Sequence, residues 1–276
     1  MKYKKVYYLI GIIIILLIII VILNRPRQPR LFLGNQKLSG IIIERPNDTT
    51  EIKITMGHVQ LIRPLNYPAD SGLVFRMVNQ LRHAKLGEII SEKENRYKDF
   101  EVSDKDIKVT LKTRRPISFY IGKYAADFQH AYFRFVGDKK VHLVSGISKY
   151  TFSRSPDDWR DKLIVSFEKN DVTKLKIKGK EIVKKDTLWF FRKKEIDKKE
   201  MDTVLQLFSN LHASGFLDTL KFESEWSVEV YLKNLTYRLF VGKKCKKMYY
   251  AVKLEGLNPV FLVNEAFINR LTGLIK

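Results

Sequence analysis

The chain has 276 residues, of which 45% are hydrophobic and 29% are charged, so it is neither a disordered, a collagen-like nor a polytopic membrane protein. Its single cysteine, Cys245, excludes an internal disulfide bond. The 51 Lys and Arg residues against 30 Asp and Glu residues give a formal net charge of +21, and the length predicts one or two domains.

The first predicted element is a transmembrane helix over residues 6–23. This segment reads VYYLIGIIIILLIIIVIL and contains no charged residue and no proline. A helix that crosses the bilayer core needs about 17–25 such residues, and it pairs all its backbone polar groups internally. A cleaved signal peptide has a shorter apolar region and a small-residue cleavage site, whereas residues 24–30 read NRPRQPR. Residues 1–30 are therefore predicted to be an uncleaved signal anchor with a basic flank.

The orientation of this anchor depends on the charges beside it. Three lysines precede the span and three arginines follow it within residues 1–30, so the positive-inside count does not decide. A short basic tail is typical of a signal sequence that keeps its N-terminus in the cytoplasm, and large downstream domains translocate largely regardless of charge. We expect residues 31–276 to lie outside the cytoplasm.

The rest of the chain contains an internal repeat. Residues 119–123, 131–136 and 141–145 read FYIGK, AYFRFV and VHLVS, and residues 239–243, 248–253 and 260–264 read LFVGK, MYYAVK and VFLVN. Each set leads into a short apolar helix, for which Ser145 and Asn264 are the predicted N-caps. We divide the chain into a first unit over residues 31–152, a connector over 153–162 and a second unit over 163–276.

Each unit is predicted to have an antiparallel sheet packed against helices. Residues 70–86 and 197–213 place apolar side chains at helical spacing, and short alternating segments precede both. The segment KLKIK, at residues 174–178, alternates strictly, which predicts a strand with one solvated face. Each unit then has the order β-β-β-α-β-β-β-β-α, and short strands with tight connections favour antiparallel pairing. The predicted fold class is α+β.

The connector is predicted to be ordered. Residues 155–162 read SPDDWRDK, whereas a flexible linker is rich in glycine and serine. We expect the Trp159 ring to fill an apolar pocket; the alternative is a surface turn with a partly exposed ring. The candidate structural residues of the connector are Asp157, Asp158, Trp159, Arg160 and Asp161.

This connector carries a family resemblance. With YPADS at 67–71, the paired IGK and VHLVS strands, LIVSF at 163–167 and DVTK at 171–174, it resembles a bacterial family catalogued as domain of unknown function 4340, over about residues 38–276. The resemblance implies a single-span protein of the bacterial inner (cytoplasmic) membrane with an extracytoplasmic α+β repeat region. It also implies genes for ABC-transporter or gliding-type auxiliary components nearby. It assigns no catalytic residue.

The motifs of common catalytic and cofactor sites are absent from the sequence. Gly122 and Gly242 lack the other residues of a phosphate-binding GxxxxGK[ST] loop, and we interpret them as turn residues. The five histidines do not have zinc-ligand spacing. We therefore predict no catalytic residue, no cofactor and no metal site. The aspartates of the connector fit either acid–base chemistry or ion pairing with Arg160.

The lysines of the alternating strand are the candidate interaction residues. Lys174, Lys176 and Lys178 are predicted to share one face, which fits a solvated surface, an anionic lipid headgroup or an acidic protein; nucleic acid is the weakest fit. Two functions stay open. One is a membrane-anchored extracytoplasmic interaction or scaffold module, accessory to an ABC-type transporter or envelope machine. The alternative is an envelope hydrolase with its site near residues 157–162.

Overall fold

The computed structural model describes residues 12–19, 36–218, 221–245 and 248–276. Residues 12–19 are helical and exposed, and the rest of the predicted span 6–23 lies outside the described residues. Within the described ranges, no helix has both the length and the apolar character needed to span a bilayer. Antiparallel sheets dominate the described residues and helices accompany them, which confirms the α+β class.

The chain forms two compact units. Of the described residues, unit 1 contains those up to Leu65 and those of Gly72–Arg154, and unit 2 contains those of Asn66–Ser71 and Ser155–Lys276. The short segment Asn66–Ser71 thus clusters with the second half of the chain, although it precedes the first long helix in sequence. The division drawn from the sequence places this segment in the first unit instead.

Between residues 36 and 152, the structure describes nine strands and three α-helices. The strands are β1 (Gly40–Glu44), β2 (Thr49–Thr55), β3 (His58–Arg63), β4 (Tyr67–Pro68), β5 (Lys85–Ser91), β6 (Lys108–Lys112), β7 (Ile117–Tyr124), β8 (His130–Phe135) and β9 (Val141–Ser145). The helices are α1 (Ser71–His83), α2 (Tyr97–Phe100) and α3 (Lys149–Phe152). The strands of unit 1 lie in the order β3-β2-β1-β6-β7-β8-β9-β5.

The second half repeats this plan. Its strands are β10 (Leu163–Ser166), β11 (Val172–Ile177), β12 (Lys180–Lys185), β13 (Leu188–Phe191), β14 (Lys194–Glu195), β15 (Asn210–His212), β16 (Gly215–Phe216), β17 (Ser224–Leu232), β18 (Thr236–Cys245), β19 (Tyr249–Leu254) and β20 (Phe261–Asn264). Its α-helices are α4 (Lys198–Phe208) and α5 (Glu265–Gly273). A nine-stranded sheet has the order β14-β13-β12-β11-β17-β18-β19-β20-β16, and β10 pairs with β15 separately.

The two large sheets have the same topology. β11, β12 and β13 take the places of β1, β2 and β3, and β17 to β20 take the places of β6 to β9. The long helix of each unit buries one apolar stripe, formed by Val74, Met77, Val78 and Leu81 in α1 and by Met201, Val204, Leu205 and Phe208 in α4. The period of the buried residues is that of an amphipathic helix on a sheet, as the sequence pattern predicts.

The helix termini match the sequence predictions in one unit and not in the other. The Asn264 side chain accepts a hydrogen bond from the Ala266 N–H at 2.8 Å, so it caps α5 as predicted. The prediction for Ser145 is wrong, because β9 ends there and α3 begins only at Lys149. Gly146 follows with φ of +86°, and this left-handed backbone conformation separates the end of β9 from the start of α3.

The glycines of the two GK pairs are not turn residues. Gly122 lies inside β7 and Gly242 lies inside β18, each beside a shift of strand register. The turn interpretation is therefore wrong, and the glycines have the same place in both units.

Candidate functional site

The connector begins with a capped turn of 3₁₀ helix, Pro156–Trp159, in unit 2. The Ser155 hydroxyl and the Ser155 backbone N–H both donate to Asp158 Oδ2, at 2.8 and 3.0 Å. These bonds belong to a capping box, in which the Asp158 carboxylate satisfies the Ser155 N–H at the start of the turn. The Asp158 carboxylate therefore holds the local backbone.

The connector pairs with the segment Asn66–Ser71 of the same unit. The Asp70 N–H donates to the Trp159 carbonyl oxygen at 2.8 Å, and the Asp161 N–H donates to the Pro68 carbonyl oxygen at 2.9 Å. Ala69 and Arg160 form an isolated antiparallel bridge between these bonds. The Trp159 side chain is fully buried, so the connector is an ordered part of unit 2.

The centre of the site is the buried guanidinium of Arg160. Its side chain is only 1% exposed, and its Nη1 donates to Asp157 Oδ1 at 3.1 Å. Nη1 and Nη2 also donate to the two carboxylate oxygens of Asp218, the second at 3.2 Å. Such a two-pronged contact is the strong form of an arginine–carboxylate pair. Asp157 and Asp218 are both about half exposed, so the ion pairs connect the buried cation to the surface.

Two aromatic rings enclose the same guanidinium. The Arg160 Cζ lies 3.4 Å from the Phe216 ring centroid and 4.6 Å from the Tyr67 ring centroid, both within cation–π range. The two rings meet edge to face at 5.7 Å. Burial raises the pKa of the Tyr67 hydroxyl, and the positive charge of Arg160 opposes this shift. The phenol therefore stays neutral at physiological pH.

The last connector carboxylate also has a local partner. Asp161 Oδ1 accepts a hydrogen bond from the Leu163 N–H at 3.0 Å, which fixes the start of β10. Asp157 thus pairs with Arg160, Asp158 caps the 3₁₀ turn, and Asp161 fixes the start of β10. A guanidinium group has hydrogen-bond donors and no acceptor, so Arg160 contributes to the site as a donor. The arrangement can fix three chain segments to one another.

The site does not resemble a metal centre. In the parts of the chain that the structure describes, no three His, Cys, Asp or Glu side chains lie close enough together to hold a metal ion. Two buried donors, Trp159 Nε1 and Arg160 Nε, have no hydrogen-bond acceptor among the described residues.

The predicted lysine face occurs on β11, and acidic and aromatic neighbours accompany it. Leu175 and Ile177 are fully buried, so Lys174 and Lys176 point to the opposite side of the sheet. Lys174 Nζ lies 3.0 Å from Glu181 Oε1 and 4.2 Å from the centroid of the Tyr231 ring. The hydrogen bond to Glu181 raises the pKa of Lys174 and favours its charged form.

A buried glutamate stands opposite the second lysine. Glu229 on β17 is the register partner of Lys176, and its carboxylate accepts a hydrogen bond from the Tyr231 hydroxyl. Arg238 Nε lies 3.4 Å from the same carboxylate. The Tyr231 hydrogen bond, followed by the charges of Arg238 and Lys176, lowers the pKa of Glu229. Both lysines of this face therefore lie near a carboxylate.

Lys178 does not belong to this strand face. It is the first residue of a two-residue turn with Gly179, and the φ angles of +51° and +77° are those of a type I′ hairpin. Its Nζ lies 4.7 Å from the Trp226 ring centroid. Sequence patterns do not predict the acidic partners of these cations, Glu181, Glu229 and Asp218. Strand register brings the two glutamates to the lysines, and long-range packing brings Asp218 to Arg160.

Comparison with known proteins gives one match. The protein-family profile described as Domain of unknown function (DUF4340) matches residues 60–225, a segment that includes α1, the connector and the lysine strand. No curated protein matches the chain, and no solved structure does. The match confirms the resemblance in the connector and the strands, and it covers more than half of the chain. The chain therefore belongs to the DUF4340 family.

Proposed function

We propose that the chain is a single-pass protein of the bacterial inner membrane whose extracytoplasmic part is an interaction or scaffold module. On this proposal, residues 6–23 are the anchor and the two α+β units lie outside the cytoplasm. The module would be accessory to an ABC-type transporter or another envelope machine. The anchor is supported by eighteen consecutive uncharged residues without proline.

One observation favours the interaction role over the hydrolase alternative: all three connector carboxylates are bonded within the protein. Asp157 pairs with Arg160, Asp158 caps its own turn, and Asp161 accepts the Leu163 N–H. A general acid or base needs a carboxyl group that is free to exchange a proton with substrate. Structural bonding of all three groups supports a connector that holds an interaction module together.

Fusions at the C-terminus test the anchor and its orientation. Alkaline phosphatase fused after Lys276 should be active, and green fluorescent protein fused there should be dark, since each reports one side of the inner membrane. A matched fusion to a chain lacking residues 1–30 should reverse both signals. Bright fluorescence of the full-length fusion would contradict the proposed orientation.

Capture experiments test the interaction role. The full chain, solubilised from membranes after cross-linking, should retain subunits of a transporter or envelope complex. A matched variant with Arg160→Met and Asp218→Asn shows whether an intact connector is required for that capture. Hydrolytic activity that disappears on Asp157→Asn, with the fold retained, would favour the alternative.

A further inference from the structure

One end of the unit 1 sheet combines the start of β1 with two hairpin tips. Gly40, the first residue of β1, is the register partner of Lys53 near the end of β2 and of Lys112 at the end of β6. The β2–β3 turn at Met56 and the β6–β7 turn at residues 113–116 therefore lie at the end where β1 begins. We call this the leading end of unit 1, formed by Lys37, Lys53, Met56, Arg114 and Arg115.

The leading end is basic. All five of its side chains are exposed, and no acidic residue occurs in residues 52–58 or 113–116. Within the described ranges, none of its four cations lies within ion-pair distance of a carboxylate. Glu51, the nearest acidic residue in sequence, is already shared between Lys112 at 2.5 Å and Arg63 at 3.2 Å. The leading end thus has an unneutralised positive charge.

The tip between the cations is apolar. Met56 is 85% exposed at the apex of its hairpin, beside Gly57 with φ of +77°. An exposed methionine among basic residues fits a surface that meets an anionic bilayer, since cations bind headgroups and a flexible apolar side chain can enter the interfacial region.

The opposite end of the same sheet is mixed in charge. Its turns include Asp48, Asp104, Asp106 and Asp127, together with the cations Arg45, Lys105 and Lys123. Several of these carboxylates pair locally, as Asp127 does with His130. The sheet is therefore polarised along its strands, with the excess of positive charge at the leading end.

The chain path connects this surface to the proposed anchor. The Ser39 N–H donates to the Lys112 carbonyl oxygen at 2.8 Å, so residues 36–39 reach the sheet at the leading end. A tether that attaches there keeps the same surface at a high local concentration near the membrane. We infer that the leading end of unit 1 docks onto the anionic headgroups of the bilayer, with Met56 at the contact. This inference rests on the proposed anchor.

The test uses the full chain with Cys245→Ser and one new cysteine for an environment-sensitive fluorophore. The probe is placed at Met56→Cys, and the matched control places it at Asn47→Cys in the opposite end of the sheet. Vesicles contain phosphatidylcholine alone or with phosphatidylglycerol. We expect flotation with both kinds of vesicle, and a blue shift of the position-56 probe with the anionic vesicles only.

Charge variants establish the source of the contact. Arg114→Gln with Arg115→Gln should lower the equilibrium constant for docking of the leading end roughly thirtyfold. Each basic side chain near an anionic surface contributes about fivefold to that constant. The matched pair Lys105→Gln with Lys123→Gln, at the opposite end, should leave the shift unchanged. Concentrated salt should remove the shift, since the Debye length falls to about 3 Å at 1 M.

The outcomes separate this inference from the anchor. Flotation with both vesicle types but equal probe responses at positions 56 and 47 would overturn the docking surface and leave the anchor supported. Flotation with anionic vesicles alone, lost in the Arg114→Gln/Arg115→Gln variant, would overturn the anchor and support the docking surface. A chain that floats with neither overturns both.

Discussion

Gly122 lies directly beneath the backbone of Phe100, so closely that a Cβ atom on the glycine would stand 1.9 Å from the Phe100 carbonyl oxygen. Gly242 repeats this relationship in the other unit, where a Cβ would stand 2.7 Å from the Glu223 carbonyl oxygen. Real Cβ atoms do not approach backbone oxygens so closely. In each unit, therefore, the glycine allows a connecting segment to cross the sheet at a register shift.

Alanine at these glycines should destabilise the protein. We expect Gly122→Ala to lower the free energy of unfolding by about 3 kcal/mol and Gly242→Ala by about 1–2 kcal/mol, because overpacking forces the backbone to move. The measurement is urea unfolding of the detergent-solubilised chain. Gly215→Ala is the matched control, since its nearest atom, Leu262 Cδ1, lies 3.5 Å away. Equal stability of Gly122→Ala and Gly215→Ala would contradict the packing argument.

Because the Arg160 guanidinium is buried, removing Asp218 alone should lower the unfolding free energy more than removing Asp218 and the guanidinium together. Asp218→Asn removes a charge from beside Arg160 and should cost about 3 kcal/mol of unfolding free energy, since it leaves the cation with Asp157 alone. Adding Arg160→Met should restore part of the loss, because methionine fills the space between Tyr67 and Phe216 without needing a counter-charge. Urea midpoints report both effects. A double variant less stable than Asp218→Asn would exclude this reading.

Acid should open the β7–β8 loop through Asp127. Hydrogen bonds from the His130 side chain and from the Gln129 and His130 N–H groups lower the Asp127 pKa from 3.8 to about 2. A group whose pKa is lower in the folded state stabilises the fold above its unfolded pKa, and it loses this contribution as pH falls through the folded pKa.

The stabilisation by Asp127 should thus be complete above about pH 4 and disappear near pH 2. The measurement is the difference in urea midpoint between the natural chain and Asp127→Asn as a function of pH. We expect a difference at pH 5 that vanishes near pH 2. A difference that grows on acidification would have the wrong sign.

Replacing the lysines of β11 should lower the stability of the fold and leave vesicle contact unchanged. Because Lys174 and Lys176 face Glu181 and Glu229, Lys174→Gln with Lys176→Gln should lower the urea midpoint more than the exposed pair Lys198→Gln with Lys199→Gln. The position-56 probe should respond to anionic vesicles as in the natural chain. A loss of vesicle contact as large as that of Arg114→Gln/Arg115→Gln would make β11 the lipid surface.

The sequence predicts local features of this fold better than long-range ones. Alternation in KLKIK places Leu175 and Ile177 in the core, because a strand has period two whatever surrounds it. The helical stripes of α1 and α4 were predictable for the same reason. The pairing of β10 with β15 was not, since nothing in residues 163–166 specifies a partner more than forty residues away. Lys178 was misplaced because a turn with positive φ does not interrupt the alternating pattern.

The candidate site follows the same rule. Trp159 in an ordered connector was predictable from composition, because flexible linkers seldom contain tryptophan. Ion pairing with its neighbour Arg160 was one of two alternatives for the connector aspartates, and Asp157 is a partner of Arg160 in the structure. The contacts with Asp218, Phe216 and Tyr67 join three distant stretches of chain, so they depend on tertiary structure that no local pattern encodes.

The membership of Asn66–Ser71 in unit 2 determines the order in which the protein can be completed during synthesis. Residues 66–71 leave the ribosome well before Trp159 and Arg160, which bind them. At roughly 5–20 residues per second, that delay lasts several seconds. Throughout it, the segment has no connector to pair with, and Tyr67 lacks the cation that its ring will cover. Unit 2 is therefore assembled last, from an early piece and a late one, and a ribosome that stalls before residue 155 leaves residues 66–71 without their partners in the connector.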